Sequence, residues 1–287
     1  MAKSPAHSWG QLVGNIVESG ALTLLEDLAR THDLYLDRAG PRPARPGKKL
    51  TWTDSFGNIH DLDYVLERGG TRSTIGDPVA FVEVAWRRYT KHSRNKAQEI
   101  QGAVLPLADT YQHLAPFLGA IVAGEFTDDA LTQLRSVGFS LLYLPYEEVL
   151  AAFNEIGIDA SSEETTDEAD FVKKLEAWES IGDEDHRSVT GALFDRSKAH
   201  VQGFIESLET AITRTIRRIV ILPLSGEEST FTGALDAMQY LAALEGEAAP
   251  NGPLVRIEVR VEYTNDDSVV GTFGDATGAL GFLRTLK

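Results

Sequence analysis

The chain has 287 residues, 43% hydrophobic and 24% charged, which is enough apolar material for one large packed core or two smaller ones. With 43 acids against 27 bases its formal net charge is −16, which argues against a protein that coats nucleic acid with a broad basic surface but leaves room for a local basic groove. It has no cysteine, so disulfides, thiolate metal sites and a cysteine nucleophile are excluded.

The opening stretch MAKSPAHSWGQL has no apolar segment of signal-peptide type, and no apolar run reaches membrane-spanning length. The expectation is a cytoplasmic protein with no membrane partner. Residues 8–36 carry Leu12, Ile16, Leu22, Leu25 and Leu28 at helical spacing and predict one or two helices. Residues 39–48, AGPRPARPGK, break any regular element and predict a loop. A three-strand meander is expected next. Its strands are 49–55 around Leu50 and Trp52, 59–67 after the turn Phe56-Gly57-Asn58, and 79–86, VAFVEVAW. A helix over 92–105 follows. Strand 116–123, helix 127–137 capped by Thr127 or Asp128, strand 139–144 and helix 146–157 then alternate.

At about residue 159 the composition turns acidic and rich in Ser and Thr, and SSEETTDEAD predicts a solvated connector. Helices over roughly 170–180 and 188–216 are expected after it. The last segment reads as strand 218–224, helix 234–244, strands 254–265 and 268–274, and a closing helix to the end. That pattern predicts a small α+β interaction module. The expected division is therefore 1–158, 159–217 and 218–287.

The chemistry is concentrated around one acid. Glu83 sits in an apolar strand on the same side as Phe81 and Ala85. A carboxylate there is costly unless it is paired, hydrogen-bonded or bound to a cation. Asp61 and Asp63 share one side of the strand before it. If the two strands pair, Asp63 and Glu83 converge, and two close carboxylates need a counter-charge. A hard divalent cation held by oxygen ligands supplies one. Between Glu83 and Glu99 there is no acid but there are five bases, Arg87, Arg88, Lys91, Arg94 and Lys96. Such a rim suits a phosphodiester, although a charge run by default is a solvated face and Glu83 could simply pair with Arg87 or Arg72. No phosphate loop of GKS/T type, no G-x-S-x-G elbow and no zinc pattern around His60 or His113 competes with this reading.

The order helix, three strands, helix, strand, with an acid on the second strand and Glu on the third, resembles the PD-(D/E)XK nuclease superfamily over roughly residues 8–157. The resemblance implies a restriction-endonuclease-like α/β fold. It implies Asp63 and Glu83 as ligands of Mg²⁺ or Mn²⁺, with Glu18 in the first helix as an accessory metal-binding acid. The family also places a Lys two residues after the Glu, to position or activate the attacking water. Here that position is Ala85, and Lys96 is the best substitute, then Lys91. The expected function is Mg²⁺-dependent phosphodiester hydrolysis in DNA, in a restriction, defence or repair setting. Asp63, Glu83 and Lys96 would be catalytic, and Arg87, Arg88, Lys91, Arg94 and Lys96 would contact DNA. A homodimer or a defence-complex partner would fit, since cutting both strands needs two sites. Ala85 favours a rival, a catalytically inactive nuclease-like DNA-binding subunit. The net charge favours another, a protein–protein scaffold with no nucleic-acid role.

Overall fold

The computed structural model describes residues 4–224, 227–246 and 256–286, which form a mixed α/β structure. The chain divides into two compact units. One comprises 1–107 with 117–209, and the other 108–116 with 210–287.

The first unit starts with α1 (Pro5–Thr31), whose N-terminus is closed by the Ser4 hydroxyl accepting the His7 N–H, with Pro at the first helical position. Trp9, Val13, Ile16, Val17, Leu25 and Leu28 form its buried stripe. The helix stops earlier than the leucine spacing predicts. Asp33 takes a left-handed conformation at φ 53°, and the chain leaves as β1 (Leu34–Arg38).

The strands that follow also differ from the expected meander. β2 (Thr51–Thr53) and β3 (Ile59–Asp61) pair only with each other. The tip of this hairpin is tied by the buried Asp54 carboxylate. It accepts the Phe56 and Asn58 backbone N–H groups and the Asn58 side-chain amide, and meets His60 Nε2 at 3.0 Å. The side chains of Phe56 and Ile59 stand in solvent. Leu62 N–H donates to Leu50 O and ends the hairpin, so the expected strand 59–67 is broken at Leu62-Asp63. Its second half is β4 (Tyr64–Arg68), followed by β5 (Asp77–Arg87).

The main sheet has the order β1-β4-β5-β6-β7, with β6 spanning Phe117–Gly124 and β7 spanning Ser140–Pro145. β1, β4 and β5 are antiparallel neighbours, and β5, β6 and β7 run parallel. The parallel strands are joined through α2 (Ser93–Thr110) and α3 (Asp128–Ser136), the latter capped by Thr127 as expected. Parallel connections of this kind need a crossover segment. α4 (Tyr146–Asn154) follows β7. Central strands buried on both faces read as continuous apolar runs, which is why 79–86 and 117–123 are legible as strands.

At the end of β6, Gly124 has φ 93°, and a Cβ there would lie 2.1 Å from the Arg87 carbonyl oxygen. This close approach lets Glu125 N–H donate to Arg87 O at 2.7 Å and fixes the end of β5. Gly124→Ala combines left-handed strain with a backbone clash. It is expected to cost at least about 2 kcal/mol, read as a lowered midpoint in urea unfolding.

The loop 39–48 is a loop, but its arginines do not stay in solvent. Arg42 and Arg45 fold into the protein against Asp37 of β1 and Glu67 of β4, and all four side chains are buried. Arg42 reaches both carboxylates, forking onto the two Glu67 oxygens, and also donates to the carbonyls of Thr71 and Thr74. Arg45 donates to Asp37 and to the carbonyls of Arg38 and Lys49. Gly76 N–H donates to Glu67 Oε2 at 2.7 Å. Two acids and two bases thus neutralise each other beneath the loop.

The segment expected as connector is largely helical and lies within the first unit as far as residue 209. It contains α5 (Glu168–Glu179), α6 (Asp183–Arg196) and α7 (Lys198–Ile212). α5 and α6 pack on α1, and α6 packs on α4. The approach of α6 to α1 is close because Gly20 leaves room for the Phe194 ring. The single long helix expected over 188–216 is broken at Ser197 and ends at Ile212, and its last residue, Ile216, begins β8.

The second unit holds β8 (Ile216–Pro223), β9 (Ser229–Phe231), α8 (Ala234–Gly246), β10 (Ile257–Tyr263), β11 (Ser268–Phe273) and α9 (Ala276–Thr285). Its antiparallel sheet has the order β11-β10-β8-β9, over a core that includes Ile219, Ile221, Leu241, Val259, Val261 and Leu283. Residues 254 and 255 of the expected strand, and Lys287 of the expected closing helix, lie outside the described residues. No helix among the described residues is long and apolar enough to cross a membrane.

Candidate functional site

The pairing of β4 with β5 sets Tyr64 opposite Val82. Asp63, the residue just before β4, therefore falls beside Glu83. The two acids are locked by reciprocal backbone bonds. Asp63 N–H donates to Glu83 Oε1 at 3.2 Å, and Val84 N–H donates to Asp63 Oδ2 at 2.8 Å. Glu83 is buried. Burial, and then the neighbouring Asp63 charge, push the Glu83 carboxyl up to about 8. The Asp63 carboxyl is also raised by burial, against the opposing pull of the Val84 hydrogen bond and the Lys96 charge.

A third acid approaches from α1. Tyr64 Oη–H donates to the Glu18 carbonyl at 3.1 Å and ties this part of the helix to β4. The Glu18 carboxyl is raised by burial and by the charge of Asp63. Lys96, in the first turns of α2, is the cation whose field favours the charged forms of both Asp63 and Glu83. The residues singled out as Glu18, Asp63, Glu83 and Lys96 thus share one electrostatic neighbourhood. Beside it an open cleft of about 590 Å³ is lined by Glu18, Ala85, Arg87, Arg88, Lys96 and Glu99, among others. The small Ala85 side chain and the long Lys96 side chain border the same space.

The basic run is not free of acids in three dimensions. Lys96 Nζ and Arg87 Nη2 approach the same Glu99 oxygen at 3.4 and 3.5 Å. Lys91 pairs with Glu164 at 2.8 Å, and Arg94 with Asp129 at 3.4 Å. Two of these acids come from a loop and from α3, so no reading of 87–96 alone could find them. Glu99 is legible in principle, because it stands three residues after Lys96 on one helix. Arg88 is different. Its guanidinium lies between the rings of Tyr89 and Phe171, 4.8 and 4.7 Å from their centres. Asp61 is an exposed residue paired with Lys49.

Among the described residues, no three His, Cys, Asp or Glu side chains are grouped so as to hold a metal ion as they stand. The donor set at Asp63 and Glu83 is nevertheless hard oxygen, and its carboxyls are raised chiefly because burial opposes their charge, a cost that a bound cation offsets. That suits Mg²⁺ or Mn²⁺, which are commonly bound through one or two carboxylates with water and substrate oxygens completing the shell.

No family model matches the chain, and no curated protein matches it. A solved structure described as "Protein of Unknown Function AF1548" is similar at 13% identity and a TM-score of 0.29, over 69% of this chain and 98% of that one. The functional reading therefore rests on this chain's own geometry.

Proposed function

We propose that the first unit is a restriction-endonuclease-like domain that hydrolyses phosphodiester bonds in DNA with Mg²⁺ or Mn²⁺. The reading is carried by one observation, the locked convergence of Asp63 and Glu83 beside Lys96. Asp63 and Glu83 would hold the cation, with Glu18 as an accessory acid. The cation, when bound, supplies counter-charge for a phosphate under attack. The chain's own residues do the rest. The two backbone bonds fix the carboxylates, so little reorganisation accompanies binding. Lys96 replaces the lysine that Ala85 lacks, its ammonium orienting a water beside the carboxylates. Arg87, Lys91 and Arg94 exchange their own acids for substrate phosphates at the rim.

The test is nicking of supercoiled plasmid in Mg²⁺ or Mn²⁺. Glu83→Ala is expected to abolish nicking while DNA binding persists. Lys96→Met is expected to slow it by about 100-fold or more, the scale of a lost electrostatic donor. Ala85, together with the tie of Lys96 to Glu99, supports a second reading, a nuclease-like protein that binds DNA without cutting. Salt-sensitive binding by a parent protein that never nicks would select it. Absence of any salt-sensitive DNA binding sinks both.

A further inference from the structure

Arg87, Lys91, Arg94 and Lys96 each have an acid within 4 Å. Arg88 has none among the described residues. Its Nε and Nη1 are shut from solvent and donate to nothing. Orphaned buried donors are rare and costly, and in native proteins they call for a missing partner. Two ring contacts stand in for one. Tyr89 follows Arg88 directly, and its own hydroxyl is anchored by donating to the Glu163 carbonyl at 2.9 Å, while Phe171 comes from α5. Stacking on aromatic faces holds a guanidinium plane while leaving its N–H edge unused. The same residue lines the cleft that holds Glu18 and Lys96.

We infer that Arg88 is an anion seat, parked between Tyr89 and Phe171 and swinging its guanidinium into the cleft to fork its Nε–H and Nη2–H edge onto two oxygens of an entering phosphate. The parked state is poised for this exchange. It keeps ring contacts but leaves Nε and Nη1 without acceptors, and the swing into the cleft gives Nε–H a phosphate oxygen in the fork and opens Nη1–H to solvent. No carboxylate of the described residues fills the role: of the acids lining the cleft, Glu99 is engaged by Lys96 and Arg87, and Glu18 makes no ion pair with Arg88. Identifying the anion as a phosphate of a nucleic-acid strand rests on the proposed function, whereas the seat itself does not.

The test separates the two. Binding of a fluorescein-labelled ten-nucleotide single strand is measured in EDTA, so that no cation contributes, across a range of salt. Arg88→Gln is expected to weaken binding at least tenfold and to reduce the salt slope by about 0.7, one phosphate contact of a single strand. Arg88→Lys is expected to keep the slope and lose part of the affinity, since it retains the charge without the fork. The melting temperature of Arg88→Gln is expected to stay within a few degrees of the parent, because the lost donors bonded nothing. Inorganic phosphate, titrated by calorimetry, provides the second arm. If the parent binds no oligonucleotide but binds phosphate, and Arg88→Gln abolishes that, the seat stands and the nucleic-acid reading falls. If affinity and slope for both probes are unchanged in Arg88→Gln, the seat is refuted even where plasmid nicking is intact. A large drop in melting temperature with unchanged probe binding likewise refutes it, and makes Arg88 a structural residue.

Discussion

In the absence of divalent cations the protein is expected to melt at progressively lower temperature as pH rises from about 4.5 to about 8, and to recover at pH 8 when Mg²⁺ or Mn²⁺ is added. The cause is Glu83. Folded, it keeps its proton to about pH 8, because burial and the adjacent Asp63 oppose its charge, whereas its ordinary value is 4.5. Between those values the unfolded chain binds fewer protons than the folded one, so rising pH favours unfolding. Glu18 and Asp63 are displaced in the same direction and add to the slope. The expected swing is several kcal/mol, since every tenfold change in proton affinity between the folded and unfolded chain corresponds to about 1.4 kcal/mol. A cation bound to the two carboxylates removes the penalty and stabilises the folded state by mass action. Glu83→Gln should flatten the pH profile and lose most of the response to cation. A parent protein whose melting temperature is level from pH 5 to 8, or a Glu83→Gln variant that responds to Mn²⁺ as the parent does, would end the case for this pair as a cation site.

The second large effect is structural. Arg42→Ala is expected to destabilise the first unit by about 3–5 kcal/mol, the usual result of breaking one partner out of a buried ion cluster. It would leave Glu67, fully buried, and Asp37, 3% exposed, with only Arg45 and backbone donors for company. The loss is read from chemical unfolding at neutral pH. Lys49→Ala is the matched control. Lys49 also pairs with an acid, Asp61, but the pair is exposed, and a loss below about 1 kcal/mol is expected. Equal losses for the two variants would mean that burial contributes nothing to the Arg42 cluster.

What can be read from the sequence follows from how local the cause is. Strands β5 and β6 are visible because strands buried in the middle of a sheet spell themselves as apolar runs. Glu83 is conspicuous for the same reason, as a charged residue in such a run. β1 is hidden because Leu34 and Leu36 continue the leucines of α1, and the turn depends on one backbone conformation at Asp33. The hairpin β2–β3 reads as part of the main meander because alternation says which residues share a side, not which strand is the neighbour. The burial of the arginines in PRPARPG has no local sign, since it depends on Glu67, 25 residues beyond Arg42. At the site, the pairing of Asp63 with Glu83 needs only strand order. The acids that occupy the basic rim need the tertiary structure.

The Asp54 staple has a consequence for the hairpin it closes. A turn that carries an exposed Phe56, 85% accessible, would ordinarily wander and be ordered only on contact. Here one carboxylate gathers two backbone amides, a side-chain amide and an imidazole nitrogen, so the turn is already in a single conformation. Whatever meets Phe56 and Ile59 encounters a rigid apolar fingertip, and the entropy that usually weakens loop-mediated contacts has been lost during folding.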